Sequence, residues 1–136
     1  MNGQKLAVGT IVGGITCFVA GFLIYGLALN SFMTANMMPG LMKDTPDWAH
    51  LIIGNLAGGA LLTVVIGYWA KAGGVAAGFK IGAQLGLLMM LSFDFMLFAT
   101  SNAMTSFHAM LVDVAAGTIL NGAAGAAVGA VLGRRS

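Results

Sequence analysis

The sequence predicts an all-α membrane protein with four transmembrane helices, and three observations predict it. Charged side chains are scarce: 7% of the 136 residues are Asp, Glu, Lys or Arg, against 59% hydrophobic. The mean hydropathy is +0.94. The few charges fall at the ends of long apolar runs, with no Asp, Glu, Lys or Arg between Leu6 and Met42 or between Trp48 and Ala70. A soluble protein needs charged surface, and this composition belongs to the membrane class. A hydrocarbon core of about 30 Å takes roughly 20 helical residues to cross. A chain of 136 residues therefore holds four spans in a single domain and little else. Each span must satisfy its own backbone in lipid, which makes helices the only sensible reading.

The first span is expected over Leu6–Met33. Residues 36–48 then form a loop, in which Pro39-Gly40 breaks the helix and Lys43, Asp44, Pro46 and Asp47 mark an aqueous surface. The second span covers about Ala49–Ala70, with Tyr68 and Trp69 suited to an interfacial belt. A turn at Lys71-Ala72-Gly73-Gly74 leads to the third span, about Val75–Ala99. Thr100–Phe107 is a short polar connection, and the fourth span runs from about His108 to Leu132, ahead of Arg134 and Arg135. The spans pair as two hairpins, about 5–70 and 74–134.

Lys5, Lys71, Lys80, Arg134 and Arg135 fall on one side and Lys43 alone on the other. The excess of basic residues marks the cytoplasmic side. The expectation is a multi-pass protein of the bacterial inner membrane with both termini cytoplasmic. A lone Cys17 excludes an internal disulfide and reads as a packing residue. Thr16 is a poor match to the small residue before a lipidated cysteine, and the first apolar run has no convincing A-x-A cleavage site. The net charge of +2 is too small and too scattered for a nucleic-acid surface.

Glycine is the packing residue. Gly74, Gly78, Gly82 and Gly86 recur every fourth position in the third span, and Gly125, Gly129 and Gly133 do so in the fourth. Such glycine-zipper ridges let helix backbones approach closely, within the bundle or against a sister subunit. The chain also reads as a possible internal repeat. Phe32-x-Thr34-x-Asn36-x-Met38 returns 66 residues later as Phe98-x-Thr100-x-Asn102-x-Met104. His50-x4-Asn55-x-Ala57-x-Gly59 returns 58 residues later as His108-x4-Asp113-x-Ala115-x-Gly117. A true duplication would relate the hairpins by a pseudo-two-fold axis along the membrane normal. Helices rich in Ala, Gly and Leu also match by chance.

The polar residues form a layer. Asn55, Asp94 and Asp113 each lie about six residues from the outer end of their spans, roughly 9 Å below the boundary at 1.5 Å per residue. Asp113 shares a helical face with Ala109, Gly117 and Asn121, so it should point into the bundle. Asp94 continues the glycine ridge of its own span. A carboxylate at this depth costs a few kcal/mol unless it is paired, hydrated or protonated. Three readings stand side by side: a ligand, ion or proton site built on Asn55, Asp94, Asp113 and Asn121, hydrogen bonds that merely fix helix register, or contact with a partner subunit. His50 and His108 open their helices near the interface, where solvated or capping roles are common. As a symmetric pair they could instead ligate haem or another metal. Met89-Met90 and Met37-Met38 lack the spacing of a copper relay and read as packing. No phosphate loop, H-E-x-x-H, G-x-S-x-G or cysteine pair is present, so no catalytic residue is assigned, an enzyme is the minority reading, and the sequence does not identify a cofactor.

The run Gly21-Phe22-Leu23-Ile24-Tyr25-Gly26 followed by Phe32-Met33, together with Gly86-Leu87-Leu88, resembles a widespread family of small uncharacterised bacterial four-helix membrane proteins. The resemblance covers about half the chain and leaves Asp113 and the glycines of the fourth span unmatched. It implies four helices and says nothing of substrate. The functional expectation is a small binding or accessory subunit, acting as an oligomer or within a larger membrane complex. The alternatives are a small transporter or channel for a cation, proton or solute, and a haem- or metal-binding protein.

Overall fold

The computed structural model describes residues 1–134. Within them helix is the only regular secondary structure, and four helices are long and apolar enough to cross a membrane: Gly3–Ala28, Trp48–Trp69, Val75–Thr100 and Phe107–Leu132. We label the α-helices α1 (Gly3–Gly21), α2 (Asn30–Ala35), α3 (Trp48–Val64), α4 (Val75–Thr100) and α5 (Phe107–Leu132). Two π-helical stretches, Phe22–Ala28 and Val65–Trp69, extend α1 and α3.

Local chemistry explains most of the boundaries. Asn2, Asp47 and Ser106 cap α1, α3 and α5, each accepting a backbone N–H from three residues on. Gly74 opens α4 with φ +101°, a conformation a side chain would strain, and its N–H bonds to Gly129 O at 2.7 Å. The first span is shorter than the expected Leu6–Met33. Its last turn widens, Leu29 N–H closes on Ile24 O at 2.7 Å, and Leu29 itself leaves helical geometry. The chain bends there, and residues 30–35 form the separate α2.

The packing is inside-out by the standard of a soluble protein. Ile15 is 58% exposed and Phe93 60%, while glycines, Thr63 and two aspartates lie inside. This is the distribution expected when the solvent is hydrocarbon and small residues set the helix contacts. Helix α5 is the hub: α4 packs along one side of it and α1 along another, and α3 packs mainly on α1. Cys17, Leu62, Ile66, Ala124 and Val128 form the core towards the terminal end of the bundle.

The α4–α5 seam is a ladder in steps of four residues. A Cβ built on Gly78 would lie 2.9 Å from Gly129 Cα, and one on Gly82 3.0 Å from Gly125 Cα. One on Gly86 would lie 2.6 Å from Asn121 Cβ, and one on Gly117 2.5 Å from Met90 Cγ. The α1–α3 seam is equally close at Gly13, where a Cβ would lie 2.9 Å from Gly59 Cα, and at Gly9, opposite Thr63. The proposed offsets would carry the Gly78–Gly129 contact onto Val12 and Lys71, yet Val12 neighbours the Gly13–Gly59 contact about three turns away. The hairpins share no register, and no pseudo-two-fold is shown. The segments that carry the apparent repeat pair with each other instead. Met38 N–H bonds to Ala103 O and Thr105 N–H to Asn36 O, both at 2.9 Å, clasping the two connections at the far end.

A candidate carboxylate site inside the bundle

The next step of the α4–α5 ladder beyond Met90 and Gly117 is Asp94 and Asp113. The four-residue repeat that keeps glycines on the seam of α4 also delivers Asp94 to it, and the antiparallel register sets Asp113 opposite. The register of the ladder makes the two carboxyl groups neighbours across the seam, and a hydrogen bond between them would require one of them to carry a proton. Asp94 is 1% exposed and Asp113 9%. Asp94 Oδ2 is buried with no donor.

The third member is Tyr25. Its hydroxyl donates to Asp113 Oδ1 at 2.6 Å, the length of a strong charge-assisted bond, and lies 3.4 Å from Asp113 O. Tyr25 sits in the π-helical stretch Phe22–Ala28. Such widened turns re-aim side chains and recur at functional sites. Sequence reasoning missed this residue. The available signal was that Tyr25 is, with Cys17, the only ionisable group in the first span.

Among the described residues no lysine or arginine pairs with either carboxylate. The nearest lysine or arginine along either helix is Lys80, about 21 Å down α4 at 1.5 Å per residue, while His108, five residues before Asp113 on α5, is exposed. The only ion pair among the described residues is His50–Asp47. On the far side of the pair, Met33, Met104 and Met110 form a buried cluster against which Tyr25, Leu29, Phe32 and Met37 pack. Met110 lies one turn of α5 before Asp113. This apolar plug separates the carboxylates from the far surface. Two carboxylates in contact in a medium of low dielectric repel each other, and a bound proton or cation is what relieves them.

The other expected site residues do not join this group. Asn55 bonds its own helix at Leu51 O, 2.9 Å, and lines a groove of about 270 Å³ on the α1–α3 side with Gly14, Phe18 and Trp48. Asn121 bonds Gly117 O at 2.8 Å and packs against Gly86 in the α4–α5 seam, two turns from Asp113. The polar layer thus contracts to two of its four members, because both asparagines satisfy their amides on the preceding turn. His50 is exposed and its Nδ1 pairs with Asp47 Oδ2 at 2.7 Å. His108 is exposed and sets its ring edge-on to Phe32, with centroids 5.8 Å apart. Among the described residues no three His, Cys, Asp or Glu side chains gather as a metal site. A multivalent ion at Asp94 and Asp113 would have to complete its shell with water, Tyr25 or backbone oxygen.

Comparison with protein-family models, curated proteins and solved structures gives no match, so none of them bears on the resemblance seen in the first span. The fold and the site define a polytopic, all-helical membrane protein with an acidic pair enclosed between its helices.

Proposed function

We propose that this protein binds a proton or small cation at the Asp94–Asp113 pair, with Tyr25 positioning Asp113. We place it in the bacterial inner membrane, both termini cytoplasmic, as an oligomer or a subunit of a larger membrane complex. One observation carries the reading: Asp94 is 1% exposed beside a second carboxyl, with an oxygen that has no hydrogen-bond partner among the described residues. A buried polar atom without a partner is rare in native structures, and a small ligand is one natural explanation. A register-fixing role alone would be served by a neutral side chain at lower cost, because each aspartate submerged in the membrane costs up to about 3 kcal/mol on insertion scales.

The test is a titration of the protein in lipid nanodiscs, in weak buffer, across pH and against Na⁺ and Mg²⁺. Wild type should bind about one proton or cation per chain that Asp94→Asn does not. Identical titrations for the two proteins would contradict the reading.

A second reading, transport of the bound ion, is favoured by the π-helical turn that holds Tyr25 beside the pair. Such a turn can shift its register at little cost and so open or close access to Asp113. Ion flux in liposomes that survives Asp94→Asn combined with Asp113→Asn would dismiss it. Isolation in mild detergent as a ligand-free monomer would count against the subunit assignment.

A further inference from the structure

A second cavity, of about 350 Å³, lies at the terminal end of the bundle, lined by Lys5, Lys71, Tyr68, Met1 and Leu132 among others. Its charge is unbalanced. The only four carboxylate side chains of the chain are Asp44, Asp47, Asp94 and Asp113, all towards the far end, and neither lysine enters an ion pair among the described residues. Lys5 is held in place: its Nζ donates to Leu132 O at 3.4 Å and to Arg134 O at 3.1 Å, at the carbonyl end of α5.

Lys71 is held at a conformational cost. Its φ is +50°, the left-handed region, where a residue with a side chain loses about 1 kcal/mol. The same turn places a glycine at its other left-handed position, Gly74. A glycine at 71 would remove the strain, whereas the lysine keeps an ammonium group on the cavity wall. The turn is tied down by Ala70 N–H to Val65 O, 2.8 Å, and Ala72 N–H to Ile66 O, 2.9 Å. Beside it, Trp69 is 72% exposed, as befits a side chain resting at the headgroup level.

We infer that this cavity binds a phosphate group between Lys5 and Lys71, the phosphate of an anionic lipid headgroup. The position at a helix end, the flanking aromatic residues and two lysines that enter no ion pair among the described residues are the features of headgroup sites on basic membrane faces. The inference is independent of the carboxylate site.

Native mass spectrometry of the intact protein in detergent tests it, with phosphatidylglycerol, phosphatidylcholine and inorganic phosphate as probes. Wild type should retain phosphatidylglycerol over phosphatidylcholine. Lys5→Gln and Lys71→Gln should each weaken retention about 5-fold. Lys80→Gln, at the same end but outside the cavity, should leave it unchanged. Lys71→Gly should lose the lipid to the same degree while melting no lower than wild type, which separates binding from folding. Failure of millimolar inorganic phosphate to displace the lipid assigns the site to the headgroup, and displacement assigns it to phosphate from either source. Retention unaffected by the Lys5 and Lys71 variants, or reduced equally by Lys80→Gln, would overturn the inference.

Discussion

Gly82→Ala adds one methyl group to the α4–α5 seam, and the structure leaves it no room. The new Cβ would lie 3.0 Å from Gly125 Cα and closer still to Asn121 O. Both obstacles are backbone and cannot rotate away, so α4 must move off α5. Overpacking of this kind costs about 1–3 kcal/mol. The gain in helix propensity from Gly to Ala offsets up to about 1 kcal/mol of it. Gly54→Ala supplies the control, since nothing lies within 4 Å of its Cβ position and only the propensity term applies. The difference between the two variants therefore isolates the packing term, and Gly82→Ala should be less stable than Gly54→Ala by about 1–3 kcal/mol. Steric-trapping measurements of unfolding in bicelles read that difference directly. Equal stability of the two variants would refute the register of the seam, and with it the juxtaposition of Asp94 and Asp113.

Two further outcomes follow from the geometry. Tyr25→Phe keeps the ring and removes the 2.6 Å bond to Asp113, so the same unfolding assay should show a loss of about 0.6–1.7 kcal/mol, the range of interhelical hydrogen bonds in membranes. His50→Ala removes a solvent-exposed pairing with Asp47 at a helix start, and thermal melting in detergent should shift by no more than the equivalent of about 1 kcal/mol.

The four spans were legible because hydrocarbon imposes one rule on every residue of a span, and composition alone reveals it. The Gly78-Gly82-Gly86 ridge was legible for the same reason: close approach requires small side chains at a fixed step, and Asp94 two steps on inherits that face. The asparagines were not. Asn55 and Asn121 can satisfy their amides within their own helices, at Leu51 and Gly117, so their depth in the membrane carried no information about partners. Tyr25 escaped notice because its approach to Asp113 depends on a π-helical turn, which leaves no mark in a regular 3.6-residue period. The apparent repeat was read from residue identities. Helix register is set instead by which glycines meet, and Gly13–Gly59 and Gly78–Gly129 meet at different offsets.

The central claim is that Asp94 and Asp113 form one enclosed site that holds a proton or cation. Dicyclohexylcarbodiimide, which partitions into lipid and reacts with protonated carboxyl groups, addresses it most directly when the labelled protein is mapped by mass spectrometry. A single adduct per chain is expected on Asp94 or Asp113, slowed as Na⁺ or pH is raised and lost when both become asparagine. Adducts on neither, with both carboxylates open to water-soluble carbodiimide at the rate of Asp44 and Asp47, would contradict it.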